Sequence, residues 1–253
     1  MKLTRLTLDI QNGVASLALN RPEASNALDL ELATELRAVV ASIAESEEVR
    51  SVLVHGAGPR FCGGGDLKAM LASDDRLTYV RTLAVELDLA FQDLAALSIP
   101  VVAAVHGSVA GAGLALMLSC DIIVAASDTQ FVPAYPGVAL TPDCGLSWLL
   151  PRAIGQQRAL AFLLRNEHVN ASVAEEWGLV ASVVSPEDLE PESYQTARAL
   201  AEGPAWAFGQ TRDLVRRSFE SSRADAGVRE ADVVTAAANH SDARERMERF
   251  GRR

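Results

Sequence analysis

Two glycine-rich turns carry the residues best suited to chemistry. The first is Phe61-Cys62-Gly63-Gly64-Gly65-Asp66-Leu67, and the second is His106-Gly107-Ser108-Val109-Ala110-Gly111-Ala112-Gly113-Leu114. Each directly follows a run that reads as a strand. Consecutive glycines permit positive φ and let a ligand approach backbone N–H groups closely. The second turn also opens an apolar helix, where orphan N–H groups and the helix dipole favour a developing negative charge. Donors of this kind stabilise an oxyanion but do not say where a proton goes. Taken alone, either turn equally fits a tight bend without a ligand.

Other chemistries find less support. Gly56-x-Gly58 and Gly111-x-Gly113 lack the third glycine of a dinucleotide fingerprint, at Phe61 and Leu116. Gly145-Leu146-Ser147-Trp148-Leu149 ends in leucine, so it is not a nucleophile elbow, and no Walker A motif occurs. His55, His106, His168 and His240 show no metal spacing, and His106 is placed to cap or support the second turn. Cys62, Cys120 and Cys144 are odd in number with no CxxC pair, which favours a reducing cytoplasm over disulfides or zinc. Cys144 reads as a small buried thiol. A net charge of −10 argues against a nucleic-acid partner. No stretch approaches the roughly 18–20 uncharged apolar residues of a membrane span. The expectation is a cytoplasmic protein with no metal, membrane or nucleic-acid partner.

The elements that must position the turns follow from patterning. Leu6, Leu8 and Ile10 alternate with polar residues, and Asn12-Gly13 predicts a hairpin to Val14–Leu19. Asp29 caps a helix carrying Leu32, Leu36, Val39, Val40 and Ile43 on one face. Val49–His55, Val101–Val105 and Asp121–Ala126 read as strands, with a helix over about 75–97 and a shorter one up to Cys120. Beyond Gln130 the chain reads as loop, then as mixed helix and strand to Val184, and after Pro186 as helix throughout. At 253 residues the chain suits one large α/β unit with a smaller helical appendage, divided softly near residue 195 into 1–195 and 196–253.

Several motifs in register resemble the enoyl-CoA hydratase/isomerase (crotonase) family. They are Asn20-Arg21-Pro22-Glu23-Ala24-Ser25-Asn26-Ala27-Leu28, the two turns with Ile99–Val105 before the second, and Cys120–Ala125. Pro142–Gly145, Leu150–Gly155 and Ala174–Val180 complete them, covering about residues 1–185. The resemblance implies a crotonase spiral of ββα units, a C-terminal helical segment used in a homotrimer or homohexamer, and an acyl-CoA thioester ligand without a further cofactor. It places the oxyanion donors at the N–H groups of Gly65 and Ala112, where alanine replaces the commoner glycine. CoA contacts fall on the bend around Ala24, on Gly63, and on Gly65 through Asp66, Leu67 and Lys68, with Lys68 either facing a phosphate or simply solvated. The arginines from Arg212 to Arg253 imply a solvated or intersubunit face, one of them reaching a CoA phosphate.

The family's hydratases hold a water between two glutamates, whose positions here are Ala115 and Tyr135. Neither is a carboxylate, which disfavours simple hydration. The remaining carboxylate is Asp143, where double-bond-shifting members place a proton shuttle; the other reading is a helix N-cap. Tyr135 then shapes the acyl pocket or donates a hydrogen bond. The expected activity is an acyl-CoA isomerase working through an enolate. The alternatives are a hydratase with atypical residues, an aryl-CoA dehalogenase or hydrolase, or a non-catalytic acyl-CoA binder. The dehalogenase histidine falls at Gln92, which is no base.

Overall fold

The hairpin forms where the Asn-Gly pair predicts it. In the computed structural model, which describes residues 2–251, β1 (Leu6–Gln11) and β2 (Val14–Leu19) pair antiparallel with Gln11 opposite Val14. Asn12 and Gly13 sit at φ 53° and 77°, as a primed two-residue turn demands. Asp29 accepts from the Leu32 N–H at 2.8 Å and starts α1 (Leu30–Ala44).

Beyond α1 come β3 (Ser51–Gly56), α2 (Leu67–Ala72), α3 (Arg76–Ala96), β4 (Val101–Val105), β5 (Ser108–Ala110) and α4 (Ala112–Leu118). β6 (Ile122–Ala126), β7 (Gln130–Val132), α5 (Leu146–Ile154), α6 (Gln156–Arg165), β8 (Val169–Asn170), α7 (Ala171–Glu176) and β9 (Ser182–Val184) follow. The chain closes with α8 (Leu189–Ala201), α9 (Ala205–Arg216), α10 (Arg223–Asn239) and α11 (Ser241–Gly251).

The main sheet has the order β1-β2-β3-β4-β6-β9 and is parallel from β2 onward. A second sheet has the order β5-β7-β8, and two bridges, Leu28 with Gly65 and Cys62 with Val109, continue that layer toward the N-terminal half. Successive passes of the chain therefore give one strand to the main sheet, one short extended piece to the second layer, and then a helix. This is the α/β spiral of ββα units. Burial on both faces explains the apolar runs Val52–Val54 in β3 and Val101–Val105 in β4. One face packs on α1 and α3; on the other, Val14, Leu53, Val102, Ala104 and Val124 meet Leu189, Ala197 and Ala201 of α8. Residue 195 lies inside α8.

Three local readings change. β5 interrupts the second glycine turn, and β7 occupies the start of the segment that reads as loop. Both strands have three residues, too short for alternation to register, and tertiary pairing holds them. α2 is likewise too short to stand alone and is nucleated by Asp66, which accepts from the Ala69 N–H at 3.0 Å.

Candidate active site

The two glycine turns interlock. The Cys62 N–H donates to the Ser108 carbonyl at 3.2 Å and the Ala110 N–H to the Cys62 carbonyl at 2.9 Å, so the turns pair as parallel strands. Gly64, at φ 92°, lies against the second turn, where a Cβ would stand 2.9 Å from the Ala110 carbonyl oxygen. A Cβ at Gly113 would meet that of Cys62 at the same 2.9 Å. Side chains at either position would force the turns apart.

This pairing leaves particular donors unused. Leu28 donates to the Gly64 carbonyl at 2.8 Å and accepts from the Asp66 N–H at 2.9 Å. In a parallel ladder the residue between those two, Gly65, turns its own N–H to the opposite side. The Gly63 and Gly111 N–H groups are taken by the carbonyls of Ser25 (2.8 Å) and Val132 (3.1 Å). Among the described residues neither the Gly65 nor the Ala112 N–H has an acceptor. Ala112 is the first residue of α4, where an N–H has no partner within the helix and alanine is at ease. His106 supports this region through Nε2, 2.8 Å from the Gly58 carbonyl.

Ala24 ends a 3-10 turn, Pro22–Ala24, and the following Ser25 binds Gly63, so the bend and the first turn are neighbours. Leu67 and Lys68 are exposed on α2. Asp66 points inward: besides capping α2, its carboxylate meets the Arg21 guanidinium at 2.9 Å. Arg21 also pairs with Asp29 at 3.1 Å. Burial opposes the Asp66 charge, but the Ala69 N–H and Arg21 outweigh it and hold its pKa below the usual carboxylate value. Asn26 is fully buried; its amide donates to the carbonyls of Ala57, Arg60 and Phe61, and its oxygen accepts from the Arg21 N–H. Arg21 and Asn26 thus set the first turn's shape, although residue chemistry alone pointed to neither. Their signal lay in the Asn20–Leu28 motif as a whole.

The segment after β7 meets the second turn at Ala134, whose Cβ lies 3.8 Å from where a Cβ on Gly111 would stand, and it carries the remaining candidate side chains. Tyr135 is buried in a 3-10 turn, Tyr135–Val138, and its hydroxyl donates to Asp143 Oδ1 at 2.6 Å. Burial and the Asp143 charge both push the Tyr135 pKa up, so its proton stays on as the donor. Asp143 is half-buried, and its side chain does not cap α5. The residue preceding that helix is Gly145, at φ 77°, and Asp143 supplies only its backbone carbonyl to the Leu146 N–H. Ala115 is fully buried in α4. Gln92 donates to Asp88 at 2.7 Å.

Cys62, Cys120 and Cys144 are free and buried. Burial lifts the Cys62 thiol to about 12, and burial with the charges of Asp143 and Asp88 lifts that of Cys144. Neither is a poised nucleophile. Among the described residues no cluster suits a metal ion, and no helix is long and apolar enough to cross a membrane. Arg212 and Arg216 depart from a solvated C-terminal face: both turn inward onto Asp121.

A family model described as enoyl-CoA hydratase/isomerase matches residues 9–253. The 1,2-epoxyphenylacetyl-CoA isomerase of Escherichia coli (strain K12) is 34% identical over 95% of this chain and 93% of its own. The trans-2-decenoyl-(acyl-carrier-protein) isomerase of Streptococcus mutans is 33% identical over 86% of this chain and 84% of its own. The crystal structure of an enoyl-CoA hydratase from Mycobacterium smegmatis superposes with a TM-score of 0.92 at 31% identity, covering 98% of this chain and 96% of that one.

Proposed function

Because the chain belongs to the enoyl-CoA hydratase/isomerase family, we propose that it is an acyl-CoA isomerase that moves a double bond, or opens a strained ring, through a thioester enolate. One observation carries this reading: two N–H groups on interlocked turns that have no acceptor among the described residues, with alanine and tyrosine at the two hydratase-glutamate positions and Asp143 held by Tyr135. The thioester oxygen accepts from Gly65 and Ala112. Asp143 removes an α or γ proton as the C–H electron pair moves toward that oxygen, and the same carboxyl group returns the proton at the other end of the delocalised system. Tyr135 fixes the carboxylate edge, and its hydroxyl stays protonated throughout. CoA lies along Ala24, Gly63 and the start of α2, with Leu67 and Lys68 at its edge. No cofactor beyond the substrate's own CoA enters this scheme, and α9–α11 serve assembly into a trimer or hexamer. The names of the Escherichia coli and Streptococcus mutans relatives favour isomerisation.

The test is α-proton exchange and double-bond migration, followed by proton NMR in deuterated water over a panel of saturated, α,β- and β,γ-unsaturated CoA thioesters. Exchange with interconversion of the unsaturated pair is expected. Hydration faster than migration would replace the reading with a hydratase, and tight binding with no exchange would replace it with a non-catalytic binder.

A further inference from the structure

A chain of net charge −10 must gather cations locally if it is to hold a ligand that carries several phosphates. Several of its guanidinium groups are already engaged. Arg21 meets Asp29, Asp66 and the Ala27 carbonyl. On the C-terminal helices Arg212 and Arg216 are held by Asp121, and Arg217 by Asp213. Arg60 differs. It immediately precedes the first glycine turn, it is exposed, and among the described residues it pairs with no carboxylate, that of Glu23 in the adjoining bend included.

The root of this side chain is fixed. The Arg60 carbonyl accepts from the buried Asn26 amide at 2.7 Å, and the next N–H, that of Phe61, donates to the His106 carbonyl at 3.0 Å. The Arg60 Cα lies 3.2 Å from where a Cβ on Gly107 would stand, so the second turn packs against it as well. Ser25 aims the far end: its hydroxyl accepts from Arg60 Nη1 at 2.7 Å, while its carbonyl accepts from the Gly63 N–H at 2.8 Å. One residue thus joins the guanidinium to the bend and the turn along which CoA is proposed to lie. A guanidinium presents several N–H donors in a planar fork, and those not given to Ser25 have no acceptor among the described residues. A forked cation held at its root and at one nitrogen suits bidentate capture of a phosphate.

Resting on the acyl-CoA reading above, we infer that Arg60 clamps a phosphate in the carrier half of the thioester, so that the protein selects its substrate by the carrier's phosphates as well as by the acyl group. Arg60 takes no part in the proton transfers, which stay with Asp143.

The test is calorimetry of the full chain with the crotonyl thioesters of CoA, 3′-dephospho-CoA, 4′-phosphopantetheine and pantetheine, a series that removes the phosphates stepwise. Wild-type affinity is expected to fall about tenfold at the step that removes the phosphate held by Arg60. Arg60→Ala should flatten that step, and Arg60→Lys, a cation without the fork, should keep about threefold of it. A wild-type series without any step overturns the inference, as does a series whose every step survives in Arg60→Ala. An equal loss of affinity for the pantetheine thioester in Arg60→Ala also overturns it, since that marks an effect on the turn's shape and not on a phosphate. If the CoA thioester panel above exchanges its α protons while Arg60→Ala binds every carrier as the wild type does, the Arg60 inference alone fails. If that panel neither binds nor exchanges, the acyl-CoA reading fails and takes this inference with it.

Discussion

The two walls of the site are built by different means. The donor wall is backbone, and its geometry is over-determined. The Cys62–Val109 and Leu28–Gly65 bridges, the close packing at Gly64 and Gly113, and the buried Asn26 and Arg21 all specify one arrangement. The carboxylate wall is side chain on an irregular segment. There Ala134, Ala139 and Cys144 all take positive φ without being glycine, and one hydrogen bond ties Tyr135 to Asp143. Left-handed backbone in such residues costs roughly 1–3 kcal/mol each and persists only where the surroundings enforce it. On the reading proposed above, anion stabilisation belongs to the spiral itself, whereas the reaction is chosen by a few side chains that can change while the spiral stays. Relatives named as hydratase and isomerase on one fold fit that division.

If the walls divide the work this way, the largest effect comes from the carboxylate. Asp143→Asn should lower turnover by about 10³-fold or more while leaving thioester affinity within a few-fold, as read by NMR exchange and calorimetry. Activity kept at a tenth of wild type would end its assignment as the proton shuttle. Next is the donor wall: Ala112→Pro deletes one N–H at the first helical position, where proline is tolerated. It should lower turnover about 10²–10³-fold with α4 intact by circular dichroism. A much smaller loss would show that the thioester oxygen does not rely on this donor.

Tyr135→Phe removes the 2.6 Å hydrogen bond but keeps the ring. We expect turnover to fall about tenfold with KM little altered, the sign of lost orientation rather than lost binding. The smallest effect on rate, and the most informative about the scaffold, is Asp66→Asn. Asp66 has a folded pKa below its ordinary 3.8, so its stabilising charge is complete above that pH and is lost as pH falls through the folded value. The variant should lose about 1–2 kcal/mol at pH 7 by urea denaturation and show a shallower loss of stability in acid. An unchanged acid profile would mean that Arg21 and Asp66 do not brace the first turn.

Much of this molecule was legible in its residues because the signals act over a few positions. Asn12-Gly13 prescribes its own hairpin, Asp29 its own helix start, and three glycines in a row a turn that brings backbone N–H groups within a ligand's reach. The lack of carboxylates at positions 115 and 135 is likewise a fact of sequence. What only the folded chain decided depends on packing across the spiral. It set Cys62 against Val109, turned the Gly65 N–H away from Leu28, drew Asp66 inward onto Arg21, and gave Asp143 to Tyr135 instead of to α5. It also brought Asp88 of α3 beside Gly145. Local propensity is silent on such contacts because their free energy comes from burial and pairing between segments far apart in the chain. Residues therefore announce which groups are available for chemistry, and the tertiary fold decides which of them meet.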